Sequence, residues 1–223
     1  MRGFICLALL SVAISVVAAD RGEALQLFSD LKRSKKSRGL GRSDDFVSVV
    51  QSELLLAEEE YVRSSISGES GVLEALSEGA AQNSGPACVD FIKQKAGIMM
   101  NLAGVSYATC LRVVDDEVFA ALSAATDGAV SRDQYDAANV LNAFRGENIF
   151  VDPSRIRGKL QQRMRGSFRL PALEADKIAE VKTELAAVKD RFVKCMQTAR
   201  GGLEDTLKAT SKQLKLVCAD ERE

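Results

Sequence analysis

The feature that most constrains the fold is a long apolar stripe with helical spacing in the middle of the chain. Steps of three or four residues separate its members, which are Val89, Ile92, Ala96, Met99, Ala103, Ser106, Cys110 and Val113. A second stripe with the same steps contains Ile178, Val181, Leu185, Val188, Phe192, Cys195 and Ala199. Such steps are typical of one face of an α-helix that packs on another helix. Because no alternating apolar and polar run is long enough for a strand, we predict an all-α chain.

The boundaries of the helices follow from turn and cap residues. Gly68 and Gly71 are expected to break an N-terminal helix, and Ser131 with Gln134 resembles a capping box that starts another. The dipeptide at 152–153, Asp-Pro, is expected to be the N-cap and first turn of a further helix. The predicted helices are 46 to 64, 72 to 82, 86 to 126, 132 to 145, 153 to 165 and 171 to 218.

The first nineteen residues have the three parts of a secretory signal peptide. Arg2 supplies the positive charge, an apolar stretch occupies 4–17, and small residues precede the expected cleavage after Ala19. The apolar stretch is shorter than the roughly 20 residues that span a membrane, and no later segment is expected to be apolar enough. We therefore predict that residues 1–19 are removed, and that the protein is secreted without a transmembrane anchor.

Residues 20–45 are expected to form a basic, flexible leader. Between Lys32 and Arg42 the chain carries six positive charges and no negative one, which is typical of a solvated segment. Two other interpretations remain open. The basic run could be a processing site for a basic-specific protease, or it could contact an anionic glycan or membrane surface.

Removal of the signal peptide leaves four cysteines, and an even number in an exported chain favours two disulfides. Cys88 and Cys110 are 22 residues apart, which is about 33 Å on an unbroken helix and too far for a bridge. If the chain is instead an antiparallel hairpin centred on 152–153, Cys110 lies opposite Cys195 and Cys88 lies opposite Cys218. This nested pairing is our prediction, although local and crossed pairings remain open.

The same reflection has a second consequence for the two long helices. It places Gly104 opposite Gly201, and Ala103 opposite Gly202. Small residues that face each other allow two backbones to approach closely. We therefore expect the two arms to be in close contact at this level.

The composition argues against several classes of function. The 223-residue chain has no histidine, which excludes Ser-His-Asp and Cys-His nucleophiles and histidine-ligated zinc. Its formal net charge of -1 argues against a nucleic-acid partner. The segment 125–134 resembles part of an EF-hand loop but has Ala125 and Gln134 where calcium needs carboxylates. We expect no enzymatic activity, no cofactor and no bound metal.

The cysteine spacing and the central segment resemble those of one family, the secreted insect proteins with a tsetse EP-type domain, a four-cysteine domain of unknown function. The resemblance covers 84–218, about 60% of the chain, and leaves out 46–82, and no Glu-Pro repeat is present. It implies a secreted insect protein of gut or other epithelial secretions without an established catalytic activity. The matching features are Pro86-Ala87-Cys88, Cys110, Val140-Leu141-Asn142-Ala143-Phe144, Asp152-Pro153-Ser154-Arg155-Ile156, Cys195 and Cys218.

We therefore predict an elongated antiparallel helical hairpin or bundle that two disulfides hold together, with helices from 46–82 packed on the 84–218 domain. The expected function is that of a secreted, non-enzymatic interaction protein whose partner is an extracellular protein, a glycan or a microbial surface. The alternative is a carrier of a small apolar ligand or lipid between the helices, with Met99 and Met100 as candidate lining residues. An enclosed apolar cavity would distinguish the two functions.

Overall fold

The computed structural model describes residues 21–32, 46–77, 86–163, 171 and 173–217. All regular secondary structure in these residues is helical, which confirms the predicted all-α class. A short 3-10 helix, Leu141–Ala143, lies between the fourth and fifth α-helices. The α-helices are α1 (21–32), α2 (Phe46–Ser77), α3 (Pro86–Ala125), α4 (Arg132–Ala138), α5 (Pro153–Arg163) and α6 (Ala175–Val217).

The long helices α3 and α6 pack side by side and run in opposite directions. The Cys110–Cys195 disulfide joins them, with 5.9 Å between the two Cα atoms. Seven residues further along α3, Glu117 accepts a hydrogen bond at 3.1 Å from Arg191, which precedes Cys195 on α6. A higher residue number on α3 therefore pairs with a lower one on α6, which confirms the predicted antiparallel pair of helices.

The helix α2 is the third long helix of the bundle and packs on both others. It is continuous from Phe46 to Ser77, so the predicted break at Gly68 and Gly71 is wrong. A Cβ atom on Gly68 would lie only 2.9 Å from Cδ1 of Leu207 on α6. The glycine therefore serves close packing of α2 on α6 and does not end the helix.

The helix α1 corrects the expectation of a flexible leader over 20–45. Its residues Ala24, Leu27, Phe28 and Leu31 are buried in the core. The ring of Phe28 stacks on Phe144 with 5.9 Å between the centroids. At least 21–32 therefore belongs to the folded domain, whereas most of the basic run, from 33 to 42, lies outside the described residues.

Ion pairs also hold α1 in place. The guanidinium of Arg21 donates two hydrogen bonds, of 2.7 and 3.0 Å, to the carboxylate of Glu69 on α2. The same guanidinium donates to the backbone carbonyl of Phe150 and lies 5.5 Å from the centre of that ring. The side chain of Arg21 is 12% exposed and that of Glu69 4%. Because both partners are mostly buried, this pair fixes the position of α1 more firmly than a surface ion pair would.

The buried face of α3 is rotated relative to the predicted stripe. Ser106 and Val113 of that stripe are exposed, whereas Tyr107 and Leu111, which lie outside it, are buried. The predicted facing of small residues on α3 and α6 is also wrong. A Cβ atom on Gly104 would collide with the side chain of Asn148, while atoms on Gly201 and Gly202 would meet nothing within 4 Å. The buried residues of α3 are Cys88, Ile92, Ala96, Met100, Ala103, Gly104, Tyr107, Cys110, Leu111, Val114, Asp115, Val118, Leu122 and Ala125.

Residues 126–163, which follow α3, pack back along that helix, with Arg132 at Asp116 and Asn148 at Asn101. Ser131 and Gln134 form the predicted capping box at the start of α4, with hydrogen bonds of 3.2 and 3.0 Å. Helix α4 ends at Ala138, before the 3-10 helix, and is therefore shorter than the helix predicted for 132 to 145. Asp152 caps α5 as predicted, since its carboxylate accepts from the amide of Arg155 at 3.0 Å.

Among the described residues, one helix is long and apolar enough to cross a membrane by length and composition alone. It is the 39-residue segment Ala87–Ala125 of α3, so the expectation that no segment after the signal peptide is apolar enough is wrong. In this fold 39% of its most apolar window is buried. Because a core helix passes the same test, the composition of α3 does not identify a membrane span.

Candidate interaction surface

The candidate surface is an exposed apolar stripe on α3, which we call the α3 stripe. Its side chains are between 45% and 56% exposed, and they belong to Phe91, Ile98, Leu102, Val105 and Val113. At 100° per residue these five positions fall within an arc of about 80°, on the side of the helix opposite its buried face. Large apolar side chains that share one exposed face mark contact surfaces more often than scattered ones do.

The middle of the α3 stripe lies in an uncharged stretch of the sequence. The sixteen residues from Ala96 to Leu111 include no Asp, Glu, Lys or Arg. Asn101 at the edge of the stripe accepts a hydrogen bond of 2.8 Å from the side chain of Asn148. This bond ties the loop before α5 to α3 beside Leu102, and the side chains of the stripe stay exposed among the residues that the structure describes.

Beyond Val113, α3 is contacted by charged and polar side chains from the segment that follows it. Asp115, which is 1% exposed, accepts hydrogen bonds from Arg132 at 2.6 Å and from Arg145 at 3.0 Å. Tyr135 donates to the other carboxylate oxygen at 3.2 Å, and Asn139 donates to that same oxygen. The negative charge of Asp115 is therefore matched by two cations and two further donors. We call these five residues the Asp115 cluster.

The Asp115 cluster joins three parts of the fold. Arg132 and Tyr135 come from α4, Arg145 follows the 3-10 helix, and Asp115 is on α3. The guanidinium of Arg132 also lies 5.0 Å from the ring centre of Phe119 on α3. Because its hydrogen bonds connect parts of the same chain, the cluster accounts for the attachment of α4 to α3.

The tyrosines of the chain line the interior. Tyr61 donates to the backbone carbonyl of Ala103 at 3.0 Å, and Tyr107 donates to the carboxylate of Glu58 at 3.1 Å. Burial raises the pKa of Tyr61 to about 12 and raises the pKa of Tyr107 well above its usual value. Burial, with the nearby charge of Asp115, does the same to the pKa of Tyr135. All three phenols are therefore held in the neutral form at physiological pH.

A small apolar groove lies between α1 and α2. Its volume is about 250 Å³, and its lining residues are Phe28, Leu31, Lys32, Ser52, Leu55, Leu56 and Glu59. At the rim, the carboxylate of Glu59 lies 2.5 Å from the ammonium of Lys32 and 2.9 Å from the guanidinium of Arg63. Burial acts to raise the pKa of Glu59, but the hydrogen bonds from these two cations outweigh it and the net pKa is lowered.

The structure brings two of the four predicted bridging cysteines together. Cys110 and Cys195 are bonded, as the nested pairing predicts. Cys88 is buried on α3, and its predicted partner Cys218 lies outside the described residues, so that bridge stays a prediction. Within the part of the chain that the structure describes, no group of three or more Cys, Asp or Glu side chains is arranged to hold a metal ion.

The two candidate lining methionines lie on α3 with different exposure. Met100 is fully buried in the core and Met99 is half-buried. The groove described above is instead formed by α1 and α2, which the sequence did not place together. The spacing of Ala24, Leu27 and Leu31 on α1 is that of an amphipathic helix and could have indicated this packing.

Comparisons with known proteins identify no relative of this chain. No protein-family model, no curated protein and no solved structure matches the chain. The resemblance to the tsetse EP-type domain therefore stays a prediction that depends on the cysteine spacing and the central segment alone.

Proposed function

We propose that this chain is a secreted, non-enzymatic interaction protein that binds its partner through the α3 stripe. The observation that supports this proposal is the concentration of exposed apolar side chains on one face of one helix. In the described part of the chain, five of the large apolar side chains that are exposed lie on that face. Two others, Leu56 and Val151, lie on α2 and in the loop before α5.

The chemistry of the stripe defines the kind of partner that it fits. Phe91, Ile98, Leu102 and Val105 provide apolar contact area, and the helix between Ala96 and Leu111 has no charge to pair. Contacts of this kind favour an apolar helix face or groove on a protein over a sulfated or phosphorylated glycan, which would need cations. An extracellular protein is therefore the partner that we propose.

The charged groups beside the stripe support this assignment. Asp115 and Asp116 both receive hydrogen bonds from Arg132 and Arg145. These charges are used within the fold, whereas the apolar side chains of the stripe are exposed in the described part of the chain.

The experiment compares two single variants of the mature protein in extracts of its own secretory tissue. Leu102→Glu changes the centre of the stripe, and Thr198→Glu is the control, because Thr198 is exposed on α6, outside both the stripe and the groove between α1 and α2. Size-exclusion chromatography should show wild type and Thr198→Glu in the same larger complex and Leu102→Glu alone. If all three proteins elute identically, the α3 stripe is not the binding surface.

A second candidate function is the transport of a small apolar ligand, and the groove between α1 and α2 favours it. An apolar cavity of about 150 Å³ binds benzene, so a groove of about 250 Å³ could hold roughly ten carbon atoms. Native mass spectrometry of protein purified from its own tissue tests this function. A mass increment that disappears in a Leu55→Asp variant would favour the carrier, and a mass equal to that of the polypeptide would contradict it.

A further inference from the structure

We infer that the partner of the α3 stripe is a second copy of this chain, bound with its α3 antiparallel about a two-fold axis at Leu102. This inference rests on the proposed function, because it names the partner of the same surface. Three properties of the stripe carry it: the symmetry of the apolar positions, the charges at the two ends, and the length of the contact.

The apolar positions are nearly symmetric about Leu102. Phe91 and Val113 each lie eleven residues from it, on opposite sides, and Ile98 and Val105 lie four and three residues from it. In an antiparallel pair centred on Leu102, Phe91 of one copy therefore faces Val113 of the other, and Ile98 faces Val105. A two-fold interface uses the same patch on both copies, and such a patch must be complementary to itself. The α3 stripe meets this requirement.

Two of the charges that bracket the stripe are complementary in the same arrangement. Lys95, whose ammonium lies 5.5 Å from the ring centre of Phe91 on its own helix, would face Thr109 of the other copy. Asp90 and Arg112 are exposed, and at 100° per residue they lie on the same flank of α3, before and after the uncharged stretch. Rotation about Leu102 brings Arg112 of one copy to within two residues of the position opposite Asp90 of the other. Two equivalent ion pairs would then close the ends of the contact.

The dimensions of the stripe set the expected strength of the dimer. From Phe91 to Val113 the helix is about 33 Å long and about 10 Å wide, so each copy would contribute roughly 350 Å². Stable complexes bury about 800 Å² on each partner, and smaller interfaces are usually transient. We therefore expect a dimer that dissociates on dilution, not a permanent one.

The first test is sedimentation equilibrium of the purified mature protein over a wide range of concentrations. Wild type and Thr198→Glu, the control on α6, should show a reversible monomer–dimer equilibrium. Leu102→Glu should remain monomeric, because two carboxylates would meet at the two-fold axis. The thermal midpoint of each variant, measured on the same samples, should stay close to that of wild type. A wild-type protein that is monomeric at every concentration would overturn the inference.

The second test determines the register by cysteine cross-linking. Phe91→Cys mixed with Val113→Cys should give a disulfide-linked dimer on mild oxidation, whereas each variant alone should give little. Thr198→Cys, which is exposed on α6, is the control for random collision. Efficient linking of Phe91→Cys to itself would overturn the antiparallel arrangement.

Two further results separate this inference from the proposed function. If the pure protein is monomeric but Leu102→Glu still loses the complex in tissue extracts, the partner is another protein, and only the second-copy inference fails. Binding of wild type to phosphatidylcholine vesicles, with loss of binding in Leu102→Glu, would show that the stripe faces lipid. That result would overturn both the second-copy inference and the proposed protein partner.

Discussion

The outward face of α3 has two halves that differ in chemistry and in what covers them. From Phe91 to Val105 it presents large apolar side chains that the described part of the chain leaves exposed. From Asp115 to Phe119 it carries carboxylates and an aromatic ring that meet α4 and Arg145. One continuous helix therefore has an open half and a closed half.

This difference separates contacts that build the fold from a surface that remains for binding. In the closed half, each carboxylate of Asp115 and Asp116 has cations of the same chain within hydrogen-bond distance. In the open half, the charged residues Lys93 and Lys95 both precede the uncharged stretch that begins at Ala96. Changes in the closed half should therefore alter stability, and changes in the open half should alter association.

The largest effect is expected from the loss of α1, which supports the loop at the closed half through Phe144 and Phe150. Deleting residues 20–32 removes three large buried side chains, Leu27, Phe28 and Leu31, and exposes the apolar surface that they cover. At about 1.5–3 kcal/mol for each, the free energy of unfolding should fall by about 5 kcal/mol or more. Thermal unfolding monitored by circular dichroism measures this loss.

A point variant keeps this prediction testable if the deletion does not fold. Phe28→Ala should cost about 3–5 kcal/mol, because it removes a buried aromatic ring from its stack on Phe144. Thr198→Ala is the control on the exposed surface of α6 and should change stability by no more than about 0.5 kcal/mol. If the melting curve of the deletion variant matches that of wild type, residues 20–32 do not contribute to the fold and the prediction of a flexible leader is correct.

The next largest effect is expected in the Asp115 cluster. Asp115→Ala leaves Arg132 and Arg145 without their buried acceptor and should destabilise the protein by about 3 kcal/mol. Asp116→Ala is the matched control, since the side chain of Asp116 is 45% exposed and its loss should cost less than about 1 kcal/mol. Urea unfolding of both variants gives the two values, and equal costs would contradict the distinction between these neighbours.

A smaller effect is expected from alkaline pH. The folded-state pKa values of the tyrosines are raised above the unfolded value of about 10, so their contribution is complete below pH 10 and is lost as pH rises through the folded values. For Tyr61, whose pKa is about 12, the loss amounts to about 2 to 3 kcal/mol. Because the chain has three tyrosines and no tryptophan, tyrosinate absorbance should rise only as the protein unfolds. A titration near pH 10 with the fold intact would contradict the burial of these rings.

The smallest effect on stability is expected in the open half. Leu102→Glu places a carboxylate on an exposed position in the middle of α3, where no partner within the chain is lost. We expect the free energy of unfolding to stay within about 0.5 kcal/mol of wild type. A large loss of stability in dilute solution, where the protein is monomeric, would show that Leu102 packs within the fold.

The parts of the fold that depend on spacing along the chain or on local sequence were predictable. The antiparallel pair of α3 and α6 and the Cys110–Cys195 bridge follow from chain spacing about residues 152–153. The caps at Ser131 and Asp152 depend on side chains that bond their own neighbours. Such features need no knowledge of the rest of the molecule.

The parts that depend on distant packing were not predictable. A glycine such as Gly68 can either end a helix or allow close packing within one, and the sequence does not distinguish the two roles. The close approach of Leu207 on α6 shows that Gly68 has the second role. Helix α1 was not predicted, because the adjacent run of positive charge led us to interpret all of 20–45 as a flexible leader. Four of its residues nevertheless have amphipathic spacing. The candidate surface was missed because α3 carries apolar residues on two faces. The positions of α2 and α6, which the sequence does not give, decide which face is buried.

The long-range docking of α1 has a consequence for the order of events during synthesis. Arg21 donates to a carbonyl 129 residues further along the chain, so α1 is made first and meets its binding site late. At about 5–20 residues per second, the delay is about 6 to 26 seconds. During that time α1 can pack on α2, but Phe28 has no Phe144 to stack on. The nascent chain must therefore carry this apolar helix partly uncovered until the loop before α5 has left the ribosome.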